Sequence, residues 1–230
     1  MLEVRNLTGG WDGTTVIENF SLRLDPGQTT AIIGRNGVGK STLLELIVGR
    51  AERQSGQVLL GENDLSSDEG FRRARAGIGY VPQEREVFPS LTVAENLSVA
   101  RRSGPWTERK VYELFPSLGA RKKNLGWQLS GGEQQMLSVA RALIGNPSVL
   151  LMDEPTEGLA PVVVEKLVLS LRSVVGDGSL AVLLVEQSIE VALDLSTRCL
   201  IMDRGQVVHD GESRALRGQP ATIASLMGLE

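Results

Sequence analysis

The chain has 230 residues, of which 41% are hydrophobic and 23% charged, and its formal net charge is −4. These values are typical of a folded globular protein and exclude a polycation that would coat nucleic acid. The one cysteine, Cys199, excludes an internal disulfide and fits a reducing compartment.

No segment of the chain predicts export or a membrane span. The first residues from Met1 lack the apolar core of a signal peptide. The longest uninterrupted aliphatic run, Leu180 to Val185, is far shorter than the roughly 20 residues of a membrane-spanning helix. We therefore expect any association with a membrane to depend on partner proteins.

The start of the chain predicts three strands, a glycine-rich turn and a helix. Leu2 to Thr8, Val16 to Leu24 and Thr29 to Ile33 have strand-forming composition, and the second alternates in polarity. A turn over residues 34–39 then leads into a helix over Lys40 to Val48.

Three short aliphatic runs predict the central strands of a parallel sheet. Thr30 to Ile33, Val149 to Met152 and Leu180 to Val185 are apolar at nearly every position, which is typical of strands buried on both faces. Polar residues follow each run. Because the carboxyl ends of parallel strands meet at one edge, these polar residues are expected to converge on a ligand site.

The middle of the chain, about Ser90 to Gly145, predicts helices and no strong strand. The remainder predicts helices near Val162 to Val174 and Ile189 to Leu195, then a hairpin around Asp203 to Gln206. A short last helix is predicted over about Pro220 to Met227.

Residues 34–41 match the phosphate-binding pattern G-x-x-x-x-G-K-[ST], between a predicted strand and a predicted helix. The glycines let backbone N–H groups surround phosphate oxygens, and the helix start adds its positive end. Lys40 is predicted to bind the β- and γ-phosphates, and Ser41 to bind Mg²⁺. A plain glycine-rich turn is the alternative. The predicted nucleotide-binding residues are Gly34, Arg35, Asn36, Gly37, Val38, Gly39, Lys40, Ser41 and Thr42.

Two acids follow the second aliphatic run. Asp153 is predicted to hold Mg²⁺, and Glu154 to orient and deprotonate the attacking water. An exposed acidic turn is the alternative.

The segment Leu129-Ser130-Gly131-Gly132-Glu133-Gln134-Gln135 precedes a strongly helical run. Alone, it is only a well-capped helix start. About twenty residues before an acid pair and after a phosphate loop, it resembles the signature loop of ABC ATPases, and the resemblance covers essentially the whole chain.

The resemblance implies an α/β fold with a P-loop NTPase core and a mostly parallel sheet. It adds an N-terminal antiparallel β-subdomain and an inserted α-helical subdomain. One domain would span 1–230, with the core and β-subdomain in 1–89 and 146–230 and the helical part in about 90–145. It also implies a dimer in which the signature of one subunit contacts ATP held by the other. The residues that would act in trans are Ser130, Gly131, Gly132 and Glu133.

Further positions match this family. Trp11 corresponds to the aromatic residue that stacks on adenine, although a core residue at a strand edge is the alternative. Gln83 corresponds to the glutamine that contacts Mg²⁺ and communicates with membrane subunits. Gln187 stands where most relatives have histidine, so it can donate an amide hydrogen to the γ-phosphate but cannot titrate. Hydrolysis is therefore expected to lack a histidine-like pH limb between about pH 6 and 7.

Two departures indicate a subgroup. Gln187 and Ala160, together with the sequence from Val87 to Leu97, resemble importers of branched-chain amino acids, or of urea and short amides. The resemblance implies ATP and Mg²⁺ as cofactors, a second ABC ATPase (identical or different), two transmembrane permeases and, indirectly, an extracytoplasmic substrate-binding protein. It places the chain on the cytoplasmic face of the membrane and predicts no nucleic-acid partner. Two alternatives are a soluble ABC ATPase acting on nucleic acid or the ribosome, and a non-hydrolysing nucleotide switch.

The charge is uneven along the chain. Residues 90–128 carry seven basic and three acidic side chains. We interpret this basic segment as a surface for acidic permease loops or anionic lipids, each basic residue near a membrane being worth about 1 kcal/mol. A solvated surface is the alternative.

Overall fold

The computed structural model describes residues 1–176 and 178–228. In them, an N-terminal antiparallel sheet has the strand order β2–β1–β4–β5. Its members are β1 (Leu2–Trp11), β2 (Thr14–Leu24), β4 (Glu52–Leu60) and β5 (Asn63–Asp64). The first two strands were predicted slightly too short, because the turn that joins them is only two residues long.

A second sheet has the order β10–β9–β3–β8–β7–β6, parallel except for the β9–β10 hairpin. Its register pairs Ile33 with Glu186 and Asp153 with Val185, so the strands end at one edge. This confirms the predicted convergence. The strands are β3 (Thr29–Ile33), β6 (Ile78–Val81), β7 (Val149–Asp153), β8 (Ala181–Glu186), β9 (Arg198–Asp203) and β10 (Gln206–Glu212).

The helices alternate with these strands and fill the middle of the chain. Helices α3 to α6 lie between residues 93 and 144, with one 3₁₀ turn and an isolated bridge between Thr92 and Leu125. The helices are α1 (Lys40–Val48), α2 (Gly70–Ala76), α3 (Val93–Ala100), α4 (Glu108–Leu114), α5 (Pro116–Ala120), α6 (Gly131–Ile144), α7 (Pro161–Gly176), α8 (Ile189–Leu195), α9 (Ser213–Leu216) and α10 (Pro220–Leu226).

Two large apolar clusters cover opposite faces of the parallel sheet. One joins α1 and the antiparallel sheet to the sheet, and the other packs the middle helices and α7 against it. The strands β3, β7 and β8 are consequently buried at every position. The α/β P-loop fold class is confirmed, while the division into 1–89, about 90–145 and 146–230 stays a prediction. Within the described residues, no helix combines the length and the apolar character that crossing a bilayer requires.

Candidate functional site

The loop at residues 34–39 connects buried β3 to α1. Gly37 and Gly39 have φ of 80° and 102°, a region that side chains with a Cβ rarely adopt. Lys40 folds back over the loop and donates from Nζ to the carbonyl oxygens of Gly34 (2.9 Å) and Arg35 (3.0 Å). The loop is therefore curled around a buried ammonium group.

Glu154 is the partner of that ammonium group. The Lys40 Nζ to Glu154 Oε1 distance is 3.4 Å, and the two side chains are 4% and 5% exposed. The Gln187 amide donates from Nε2 to Glu154 Oε2. Glu154 also has a left-handed backbone (φ 45°), and its N–H donates to Val185 O at 2.9 Å. Three contacts thus set the direction of one buried carboxylate.

Asp153 lies beside this pair at the end of β7. The Ser41 hydroxyl donates to Asp153 Oδ1 at 3.0 Å. Burial raises the pKa of Asp153 to about 6; the charge on Glu154 adds to the rise, while the Ser41 hydrogen bond opposes it. A buried carboxylate with a raised pKa beside a hydroxyl favours a divalent cation, which would restore its charged form.

An open cleft of about 440 Å³ joins Lys40, Ser41, Glu154 and Gln187, and Asp153 lies behind Ser41 outside its lining. Its walls come from β2, the phosphate loop, α1 and the loops after β6, β7 and β8. The lining residues are Val16, Asn36, Gly37, Gly39, Lys40, Ser41, Thr42, Gln83, Glu154, Glu157 and Gln187. The cleft is polar, which suits a charged ligand such as a nucleotide phosphate.

Gln83 lines the cleft, and its amide donates from Nε2 to Glu157 Oε2, while its contact with Mg²⁺ stays a prediction. The amide oxygen of Gln83 is thereby left for another ligand. Sequence reasoning missed Glu157, which follows the acid pair by three residues and carried no pattern of its own.

The remaining predicted residues differ in how close they lie to the cleft. Val38 is buried in the core, and Arg35 is exposed, with its guanidinium 3.5 Å from Gly228 O. Trp11 ends β1 with 39% of its side chain exposed, paired with Thr14 in the hairpin register. Its adenine contact stays a prediction.

The signature segment forms the start of α6 and lies outside the lining of the cleft. Ser130 is the N-cap: its Oγ accepts from Glu133 N, and the Glu133 carboxylate accepts from Ser130 N (2.9 Å) and Oγ (2.8 Å). Glu133 also pairs with Arg121 at 2.7 Å. The capping box therefore satisfies two N–H groups at this end of the helix, those of Ser130 and Glu133.

A close contact explains Gly132, whereas Gly131 faces only the flexible end of an arginine side chain. A Cβ on Gly132 would lie 2.4 Å from Val163 Cγ1, and one on Gly131 would lie 2.9 Å from Arg85 Nη1. Arg85 was missed by sequence reasoning. It belongs to the loop after Gln83, has φ of 63°, and places a guanidinium against the signature.

Glu186 is the third residue that sequence reasoning missed. It ends β8 directly before Gln187 and is 1% exposed. The sequence carried a signal for this residue, because it is an acid at the end of an otherwise apolar strand. The predicted run, however, stopped at Val185.

The sequence matches a known protein family and curated relatives. A family model described as "ABC transporter" matches residues 17–157. The probable branched-chain amino acid transport ATP-binding protein LivF of Archaeoglobus fulgidus is 36% identical over 221 residues, covering 94% of each chain. The high-affinity branched-chain amino acid transport ATP-binding protein BraG of Pseudomonas aeruginosa is 34% identical, covering 92% of this chain and 93% of BraG.

Other matches extend to export and to solved structures. The lipopolysaccharide export system ATP-binding protein LptB of Escherichia coli is 32% identical over 91% of this chain and 90% of LptB. The dimeric structure of a bacterial ABC transporter cassette superposes with a TM-score of 0.80 at 25% identity, covering 93% of this chain and 99% of the cassette.

Proposed function

Since this chain belongs to the ABC transporter family, we propose that it powers the uptake of branched-chain amino acids as one of two ATPase subunits of a transport complex. Family membership makes it an ATPase whose hydrolysis of ATP is coupled to transport. The observation that carries the hydrolytic part is the buried Lys40–Glu154–Gln187 contact inside the cleft at the phosphate loop.

The roles we propose follow from these contacts. Lys40 binds the β- and γ-phosphates and exchanges its loop carbonyl partners for phosphate oxygens. Glu154, released from Lys40 by the phosphate, accepts a proton from the attacking water. Gln187 holds the Glu154 carboxylate and offers its amide to the γ-phosphate.

The residues at the cleft fit Mg²⁺. Ser41 Oγ, the Asp153 carboxylate and the Gln83 amide oxygen are hard oxygen donors, the ligands that Mg²⁺ prefers. Mg²⁺ held there would neutralise phosphate charge that develops during hydrolysis. Mg²⁺ held there would also favour the charged form of the Asp153 carboxylate, which burial disfavours.

The dimer proposal is supported by the place of the signature. Ser130 to Glu133 lie on the middle helices, outside the cleft of their own chain. An exposed Ser130 at a helix start can bind the γ-phosphate on a second protomer. The related cassette solved as a dimer supports the same arrangement.

Permease partners are supported by a basic cleft between α2 and the middle helices. Four arginines line this cleft, and the Arg141 Nη1 is buried with no hydrogen-bond partner in the described part of the chain. The guanidinium groups at this cleft would bind an acidic side chain or a helix C-terminus of a permease on the cytoplasmic face, with that of Arg141 held over the Phe88 ring at 4.8 Å. The four residues are Arg75, Arg101, Arg102 and Arg141.

The basic segment predicted from sequence is partly neutralised within the chain. Arg101 pairs with Glu108 at 3.0 Å, Arg109 with Glu113 at 3.6 Å, and Arg102 donates to Ala74 O and Arg75 O. These internal partners weaken the case for a broad lipid-binding face, and those of Arg101 and Arg102 also reduce the number of free donors at the cleft.

A variant that binds ATP but barely hydrolyses it tests the roles proposed for the residues of the cleft. Glu154→Gln should lower turnover about 1,000-fold, the scale of losing a general base, while ATP binding persists. Size-exclusion chromatography with ATP should show a dimer that the wild-type chain loses on hydrolysis. Normal turnover in Glu154→Gln would contradict the proposed role.

Uptake by cells that lack the gene tests the substrate. Uptake of labelled leucine, isoleucine and valine should fall and should return with the wild-type chain but not with Glu154→Gln. Unchanged leucine uptake with lost uptake of urea or acetamide would move the substrate to the amide class. No loss of any uptake would contradict import.

A further inference from the structure

Glu186 is a buried carboxylate that the proposed chemistry does not use. It is 1% exposed at the carboxyl end of β8, in register with Ile33 of β3. Burial raises its pKa, and the nearby charge of Glu154 adds to the rise. A carboxyl group in such a place is costly unless hydrogen bonds compensate for the lost water.

Three donors supply that compensation, and they come from two loops. Glu186 Oε1 accepts from Thr156 N (3.2 Å) and Thr156 Oγ1 (2.8 Å). Glu186 Oε2 accepts from Ser188 N (3.4 Å). Thr156 belongs to the loop after β7, and Ser188 to the loop after β8.

These loops carry Glu154 and Gln187, the two side chains proposed above to act at the γ-phosphate. Glu154 precedes Thr156 by two residues, and Gln187 lies between Glu186 and Ser188. Glu154 N also donates to Val185 O at 2.9 Å, so the loop after β7 is tied to β8 at two successive residues. The Gln187 amide then meets the Glu154 carboxylate.

We infer that Glu186 is a positioning residue for hydrolysis, which joins the loop of Glu154 to the loop of Gln187 at a set separation. The inference rests on the roles proposed above for those two residues. A carboxylate suits the place because all three facing groups donate. A glutamine there would turn its NH₂ group towards one of the two loops, and the backbone N–H of that loop would lose its acceptor.

Glu186→Gln keeps the shape of the side chain but replaces one of its two acceptor oxygens with an NH₂ donor. We expect kcat per bound ATP to fall about tenfold, because small misplacements of reacting groups reduce rates strongly. ATP affinity and KM should stay within about twofold, since Glu186 lies outside the cleft lining. Thr156→Val, which removes only the hydroxyl donor, should lower kcat about threefold in the same assay.

A matched control separates positioning from loss of stability. Ser196 Oγ and Ser213 Oγ are both buried and lie 2.7 Å apart where α8 and α9 meet. Ser213→Ala removes this buried hydrogen bond away from the cleft, so it should lower the melting temperature but leave kcat per bound ATP unchanged. Counting bound ATP by equilibrium titration corrects for any unfolded fraction.

Combining Glu186→Gln with Glu154→Gln in one protein tests whether Glu186 acts through Glu154. In single-turnover assays, adding Glu186→Gln should change the residual rate of Glu154→Gln by less than about twofold. An equal tenfold loss in both backgrounds, or a kcat per bound ATP within twofold of wild type in Glu186→Gln, would overturn the inference. If Glu154→Gln itself turned over normally, the proposed function would fail first, and separately.

Discussion

Two helix N-termini are proposed to bind phosphate, and they are built in opposite ways. The start of α1 is capped by Gly39 with no side-chain hydrogen bond and has no acid in its first turn. The start of α6 has a capping box made by Ser130 and Glu133. Both have N–H groups that no helical carbonyl can satisfy.

The difference separates binding within one chain from binding between chains. The α1 end is open and has Lys40 beside it, so it is ready for phosphate in a single protomer. At the α6 end Ser130 and Glu133 already cap each other, so a partner's phosphate must compete with Glu133 for the Ser130 hydroxyl. Substitutions at α1 should therefore affect binding, and substitutions at α6 should affect turnover.

Lys40→Met should have the largest effect on binding. It removes the cation facing the phosphates and leaves the buried Glu154 carboxylate without a cationic partner, so ATP affinity should fall about 100-fold or more. Isothermal titration calorimetry measures this, with exposed Lys166→Met as the control. Equal affinity in both variants would refute an α1 site.

Ser130→Phe should reduce turnover about 100-fold, the scale of losing a transition-state donor, with ATP affinity within about twofold. Steady-state hydrolysis and titration together measure this. Thr107, the N-cap of α4, offers a matched control, because Thr107→Phe removes a cap worth about 1 kcal/mol elsewhere on the middle helices. Full activity of Ser130→Phe would remove α6 from the site.

Asp153→Asn should stabilise the nucleotide-free protein while abolishing Mg²⁺-dependent hydrolysis. The folded-state pKa of Asp153, about 6, lies above the ordinary 3.8, so its ionisation opposes folding as pH rises from about 4 to 6. The expected gain is about 3 kcal/mol at pH 8 and shrinks as pH falls towards 4. Thermal unfolding at several pH values measures it; a gain independent of pH would contradict the assignment.

The smallest effect is expected in the pH dependence of hydrolysis. Gln187 cannot titrate, so any limb near pH 6 should come from Asp153 and move to lower pH as Mg²⁺ concentration rises. The limb should persist in Gln187→Ala. A limb between pH 6 and 7 that vanished in that variant would show that another group, dependent on Gln187, titrates there.

Local patterns in the sequence were enough to predict the phosphate loop and its helix. The predicted helix over Lys40 to Val48 has the same bounds in the structure, because a glycine with positive φ flanks the helix at each end and stops it there. Strand β3 was also predicted with its observed bounds. Both depend on residues adjacent in sequence, for which local physical rules suffice.

Elements without a clear period were not predicted. Strand β4 begins with a run of polar residues, Glu52 to Gln57, and α2 is short and rich in arginine. The chain fixes α2 through buried Arg73, which donates to Leu46 O and Ile47 O at the end of α1. That contact compensates the negative end of α1 and depends on tertiary packing.

Residue types and their spacing in the sequence therefore predicted the nucleotide site: the loop, the acid pair and the signature. Only the tertiary structure decided which other groups surround them, because the strand order β3–β8–β7–β6 sets which loops are neighbours. Glu157 meets Gln83 and Glu186 meets Thr156 across 74 and 30 residues of chain. Contacts between loops at one sheet edge leave no periodic pattern in sequence. Each side chain bonds to a partner that is distant along the chain and comes near only in the folded protein.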